Sequence, residues 1–159
     1  MIRVGTGLDV HAFAEGVPLW LGGVHIPHAR GLAGHSDGDA AVHAVIDALL
    51  GAAGRGDTGE WFPSTNDQWR GARSTDLLQH AWSALAAAGW RLENVDLTIV
   101  ASEPRLAPHR LAMRQALAAA LGCPLEAVAV KATTTDGLGA LGRAEGVLAF
   151  AAALLSRTA

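Results

Sequence analysis

The sequence predicts an α/β sandwich of the α+β kind, with one mixed sheet covered by helices on one face. Two observations predict the elements. Runs of strand-like alternation (Ile2–Val10, Val95–Ala101, Ala127–Thr133) are separated by longer stretches with helical apolar spacing that begin near Ala40, Thr75 and Pro108. A third observation sets the scale. The chain has 159 residues, 50% of them hydrophobic and 17% charged, which suits one ordinary domain with a core and argues against disorder. No repeat, low-complexity tract or linker divides it, so 1–159 reads as a single domain. A small sheet covered on one face needs something on the other, which points to an oligomer.

The elements follow in order. Ile2–Val10 reads as a strand whose Gly5 and Gly7 let another segment approach closely. Leu19–Leu21 and Val24–Ile26 form a hairpin on the Gly22-Gly23 turn, bracketed by Pro18 and Pro27. Gly31–Gly34 reads as loop. A helix follows, capped by Ser36 or Asp37, with Ala40, Val42, Ala44, Val45, Ala48 and Leu49 as its body and Gly51 and Gly54 at its end. Asp57–Gly71 reads as a loop. Ser74 caps a second helix, Thr75–Ala88, that Gly89 stops. After the strand Val95–Ala101, Pro108 opens a third helix that ends at Leu121-Gly122. The strand Ala127–Thr133 leads to a glycine-rich loop, Gly137–Gly142. Gly146–Leu155 is apolar throughout and fits a buried strand or a helix.

Composition excludes several function classes. A net charge of -3 gives no electrostatic footprint for nucleic acid or an anionic membrane. The longest apolar run is too short to span a bilayer, and the N-terminus runs directly into a strand pattern without the form of a signal peptide. The single cysteine, Cys123, fits a reducing compartment, so the expected location is cytoplasmic.

Three constellations can carry chemistry. Asp9 and His11, two apart on a strand, project to one side. With His43 from the first helix they supply a carboxylate and two imidazoles, a three-ligand zinc set with a fourth position open to a phosphate oxygen. The same Asp-x-His also fits an ordinary hydrogen-bonded pair. In Gly34–Asp39, the amides of the helix start favour an anion, His35 and Ser36 can donate to phosphate, and Asp39 could orient His43 from four residues away. The same residues also read simply as a helix start. Lys131–Asp136 places three hydroxyls and a carboxylate at a strand end before a glycine-rich loop, which suits phosphate and a hard cation as well as a threonine-rich strand end. His25, His28, His80 and His109 share no spacing with these, and Trp61, Trp69, Trp82 and Trp90 read as packing residues.

Taken together, Gly7–His11, His35–Asp39, Asp47–Ala52, Phe62-Pro63, Pro104-Arg105 and Lys131–Thr135 resemble, in order and spacing, the 2-C-methyl-D-erythritol 2,4-cyclodiphosphate synthase family of the non-mevalonate isoprenoid pathway. The resemblance runs from about Arg3 to Leu155. It implies a homotrimer with sheets facing the threefold axis and active sites between subunits. It also implies cyclisation of 4-diphosphocytidyl-2-C-methyl-D-erythritol 2-phosphate with loss of CMP. Asp9, His11 and His43 would hold one zinc ion per subunit. Asp136, where the family usually has Glu, would hold magnesium or manganese on the diphosphate. His35 and Thr134 would be catalytic. Asp9, His11, His35, Ser36, Asp57, Thr58, Gly59, Phe62, Pro63, Ser64, Thr65 and Asn66 would meet the methylerythritol phosphate. Ala101, Pro104, Arg105, Leu106 and Ala107 with Thr133, Thr134, Thr135 and Asp136 would meet the cytidine diphosphate, and Arg143 would also be a substrate contact. Ser64 and Asn66 replace acidic residues expected there. Ala140 and Leu141 alter the lining of an axial cavity that holds an isoprenoid diphosphate in some members, while Arg143 and Glu145 remain. A receptor without turnover and a zinc phosphoesterase are the competing readings.

Overall fold

The computed structural model describes residues 1–158; Ala159, the last residue of the expected domain, lies outside them. Five strands form a mixed sheet in the order β4-β1-β7-β5-β6, comprising β1 (Ile2–Glu15), β4 (Arg30–Leu32), β5 (Trp90–Val100), β6 (Val128–Thr133) and β7 (Gly146–Arg157). Only β5 and β6 run parallel; β7 pairs antiparallel with both β1 and β5. The hairpin β2 (Leu19–Leu21) and β3 (Val24–Ile26) forms as expected beside this sheet. The three long helices lie on one face: α1 (Ala40–Ala53) on β1, β7 and β5, α3 (Ser74–Ala87) on α1, and α4 (Arg110–Leu121) on β6. Two single turns, α2 (Thr58–Trp61) and α5 (Gly139–Gly142), interrupt stretches expected to be loop.

The segment that sequence left open, 146–155, is a strand at the centre of the sheet. Val147, Ala149, Ala151, Ala153 and Leu155 are buried beneath helices, and the alternate residues Leu148, Phe150, Ala152 and Leu154 face the other way. With both faces apolar, the alternation that betrays a strand disappears. Two further expectations are corrected. Gly31–Leu32 belong to β4 rather than loop, because residues 30–32 pair with Phe13–Glu15 of a longer β1. The cap of α1 is Asp39, not Ser36 or Asp37, and Ser74 starts α3 without capping it.

The uncovered face of the sheet exposes Ile2, Val4, Leu8, Val10 and Phe150. No helix among the described residues is long and apolar enough to cross a membrane.

Asp39 ties the layers together. Its carboxylate is fully buried and accepts the amides of Gly22 at 2.9 Å, Gly23 at 2.7 Å and Val42 at 3.0 Å. One side chain thus satisfies both the hairpin turn and the first turn of α1. Burial pushes its pKa up, against the pull of those amides. Asp39→Ala would strand three donors, each worth about 1–3 kcal/mol. We expect the zinc-free protein to melt about 10 °C lower, at ~2–4 °C per kcal/mol for this size. Thermal unfolding followed by circular dichroism checks this, and a shift under about 2 °C would contradict it.

Candidate active site

Period-two geometry sends Asp9 and His11 of β1 to the helix-covered face. His43 arrives there because α1 lies directly on β1. A Cβ on Gly5 or Gly7 would collide with α1 backbone at Ala48, Ala52 and Ala44. The close approach expected of these glycines is therefore made by the helix that carries the third side chain. Asp9 Oδ2 lies 2.8 Å from His11 Nε2 and 3.1 Å from His43 Nδ1, and one ligand atom of each residue lies within 4.8 Å of the others. His11 is steadied from behind by a hydrogen bond between Nδ1 and the Ala33 carbonyl.

Burial alone would raise the Asp9 pKa, but hydrogen bonds and charge from His11 and His43 outweigh it and hold the carboxyl well below the usual range. Its hydrogen bond to Asp9, opposed by burial, raises the pKa of His11. One carboxylate and two imidazoles, converging on one point and partly open to a cavity, form a donor set that suits a divalent ion such as zinc. Among the described residues, no other group of histidine, cysteine and carboxylate converges in this way.

A cavity of about 170 Å³ opens on the triad, lined by His11, His35, Ser36, His43, Thr58, Phe62, Trp69 and Leu77. Its outer wall is the 57–71 segment. Asp57 caps α2 through the Glu60 amide at 2.9 Å, and Asp47 of α1 fixes Thr58 through its amide at 2.7 Å and its hydroxyl at 2.5 Å. Gly59, Ser64, Thr65 and Asn66 lie on the exposed rim of that segment, with Pro63 half-buried beside them. The Asn66 carbonyl stands 3.4 Å from His35 Nε2. Trp69 and Leu77 escaped sequence reading because an aromatic in a loop and a leucine on a helix both look like core. Trp69 is indeed packed, edge-on to Phe62 with ring centroids 5.1 Å apart, and His80 completes the cluster 5.9 Å from each.

A second cleft, of about 250 Å³, lies at the ends of β5 and β6 and is lined by Ala101, Ser102, Pro104, Arg105, Leu106, Ala107, Ala132, Thr133 and Thr134. These include the residues expected at the nucleotide end except Thr135 and Asp136, which continue the same exposed loop. Ser102 was missed; its hydroxyl donates to the Leu141 carbonyl at 2.6 Å and pins the loop. Asp136 adopts a left-handed φ of 56°, which its short side chain tolerates, and is not part of the triad. Arg143 lines neither cleft; its Nε donates to Glu145 at 2.6 Å. A recess of about 240 Å³ lies beside Val10, Ala140, Leu141 and Glu145. His28 shares Glu103 with Arg30, at 3.3 and 2.8 Å.

Two expectations about the helix start are corrected. The Asp39 carboxylate does not reach the His43 ring, because it is turned to the hairpin; only the His43 amide meets Asp39, donating to its carbonyl at 3.1 Å. The N-terminus of α1 is not an anion site either, since Asp39 already occupies it and Ala40 and Ala41 are fully buried. His35 and Ser36 reach the cavity from the loop before it.

The YgbB family matches residues 2–156. The 2-C-methyl-D-erythritol 2,4-cyclodiphosphate synthase of Alcanivorax borkumensis is 56% identical over 97% of this chain and 96% of its own length. The bifunctional enzyme IspD/IspF of Erythrobacter litoralis is 52% identical over 98% of this chain, which spans 40% of that longer protein. A solved 2C-methyl-D-erythritol-2,4-cyclodiphosphate synthase in its CDP-bound form superposes with a TM-score of 0.88 at 40% identity, covering 97% of this chain and all of that one.

Proposed function

The chain belongs to the YgbB family, and from that premise and its site geometry we propose that it converts 4-diphosphocytidyl-2-C-methyl-D-erythritol 2-phosphate into 2-C-methyl-D-erythritol 2,4-cyclodiphosphate and CMP. One observation carries the reading: a carboxylate and two imidazoles converge at the floor of a cavity whose wall offers His35 and Ser36 as anion donors. The second cleft, with Thr133, Thr134 and Arg105, has the size and polarity for a nucleotide, and a relative sharing this fold was solved with CDP.

In the reaction a 2-phosphate oxygen attacks the β-phosphorus. A new P–O bond closes the ring while the P–O bond to CMP breaks. Both reacting groups are anionic and belong to one molecule, so the protein's task is to fold that molecule and neutralise its charge. Zinc on Asp9, His11 and His43, with magnesium or manganese on Asp136, would supply cationic neutralisation of phosphate oxygens. His35 and Ser36 hold the 2-phosphate. Asp57 and the exposed rim of Gly59, Ser64, Thr65 and Asn66 face the polyol, and Phe62 and Trp69 wall off its methyl side. The Arg105 loop grips the cytidine end, and Thr134 donates to the diphosphate as charge shifts to the leaving oxygen.

The two clefts share no lining residue within one chain. Val100, Leu148 and Val10 stand in register across β5, β7 and β1, so the end of β5 beside the second cleft and the strand that carries Asp9 and His11 are two strand spacings, about 10 Å, apart. The exposed apolar sheet face supports a homotrimer packed about a threefold axis, in which one subunit's triad meets its neighbour's nucleotide cleft. The lone, partly buried Cys123 supports a cytoplasmic location.

Phosphorus NMR of the incubated substrate tests the proposal: CMP with a cyclic diphosphate is expected, and inorganic phosphate in its place would make the protein a hydrolase. His35→Ala and Thr134→Ala should each lower kcat by about 10²-fold, the cost of a lost transition-state donor. Zinc content should stay at one per subunit in both, measured by elemental analysis. Parallel loss of zinc would move those residues to the metal.

A further inference from the structure

Ser74 sits at the start of α3, fully buried, in a position the proposed chemistry does not use. Its Oγ lies 2.9 Å from His43 Nε2 and donates to Asp37 Oδ1. Asp37 also receives the Ser74 amide on Oδ2 at 2.9 Å and the Asp39 amide on Oδ1 at 3.2 Å. With three donors aimed at it, this carboxylate acts only as an acceptor. A hydroxyl has one proton, and Ser74 gives its proton to Asp37. Toward His43 it can therefore only accept, which fixes a proton on Nε2 and leaves Nδ1 as the nitrogen turned to Asp9 Oδ2, 3.1 Å away. Either a second proton or a metal ion on Nδ1 completes that contact. Ser36 Oγ also lies 3.0 Å from Nε2 and 3.3 Å from Ser74 Oγ, but it has no carboxylate behind it to fix its proton.

We infer that Ser74, anchored by Asp37, is a positioning residue that locks His43 in the Nε2–H form and reserves Nδ1 for a metal ion. This rests on the reading of Asp9, His11 and His43 as ligands. A histidine free to flip its proton would spend part of its time donating from Nδ1 to Asp9 and so compete with the metal. Locking the tautomer removes that competing state before any ion arrives.

The test uses the full-length protein and zinc alone. Chelator competition gives the zinc dissociation constant for wild type, Ser74→Ala and Ser36→Ala, and thermal melts of the zinc-free forms report the fold separately. Ser74→Ala should weaken zinc by about 10–100-fold, the usual cost of losing a partner behind a ligand. Zinc affinity unchanged in a folded Ser74→Ala, with only the melt lowered, would reduce Ser74 to a structural role and overturn the inference. So would an equal or larger loss in Ser36→Ala. If Ser74→Ala does not fold, proton–nitrogen NMR on zinc-loaded wild type decides. A slowly exchanging His43 Nε2–H close to the Ser74 β protons supports the lock, and one close only to Ser36 refutes it. Failure of wild type to bind one zinc per subunit would instead remove the ligand reading itself.

Discussion

Purified His43→Ala should fold, contain no stoichiometric zinc and turn substrate over at least about 10³-fold more slowly than wild type. That factor corresponds to about 4 kcal/mol of charge stabilisation, within what one bound divalent ion contributes to a phosphoryl transition state. The fold should survive because alanine is the strongest helix former and His43 lies within a helix whose neighbours are already Ala and Val. The metal should not survive. With His43 gone, Asp9 and His11 remain as two adjacent ligands on one strand, too few to close a tetrahedral site. Asp9→Ala should give the same result by a different route, since it removes the one negative charge on which both imidazoles converge. Elemental analysis and CMP release measured on the same preparation provide the check. One retained zinc per subunit in either variant would show the ligands to be misassigned. This pattern differs from that expected for His35→Ala, where turnover falls and zinc stays, so the two sets of residues are separable in one experiment.

Why was so much of this centre legible in the chain? Asp9 and His11 obey the simplest rule of a strand, and an imidazole inside an apolar helix, as at His43, is costly without a partner. The glycines of β1 signalled a close neighbour without saying which. What sequence could not carry was set by contacts distant along the chain. Asp39 reads as a partner for His43 by helical spacing, but the hairpin turn at Gly22-Gly23 claims its carboxylate from 17 residues upstream. Ser74 reads as a helix cap, and its actual partners, Asp37 and His43, are fixed only once α3 packs on α1. The alanine-rich β7 could not be told from a helix because a central strand beneath a helix and over an apolar face has no polar side. Trp69 and Leu77 are core by pattern and cavity wall by position, and no local signal separates the two.

Adding a single methyl group at Gly7 should be severely damaging. Gly7→Ala places a Cβ against the Ala44 carbonyl, and the atoms in the way belong to backbone on both sides. Side chains can rotate away from an intruder; a helix seated on a central strand can only move as a body. Overpacking with adjustable side chains costs about 1–3 kcal/mol, so a backbone collision should cost about 3 kcal/mol or more, out of a total of roughly 5–15. The consequence reaches the chemistry. Gly7 lies two residues before Asp9 on the same face, and Ala44 follows His43, so lifting α1 from β1 separates the metal ligands themselves. A displacement of about 1 Å at such a site can cost about 10²-fold in rate. Gly51→Ala, within α1 itself, provides the control. Its added Cβ meets nothing nearer than the Thr6 carbonyl at 3.8 Å, and a helical glycine replaced by alanine gains about 0.5–1 kcal/mol. Gly7→Ala should therefore melt about 10 °C lower and bind zinc weakly, whereas Gly51→Ala should melt at or above the wild-type temperature and bind zinc normally. Equal melting temperatures for the two variants would mean that α1 does not rest on these glycines, and the route by which His43 reaches Asp9 would have to be abandoned.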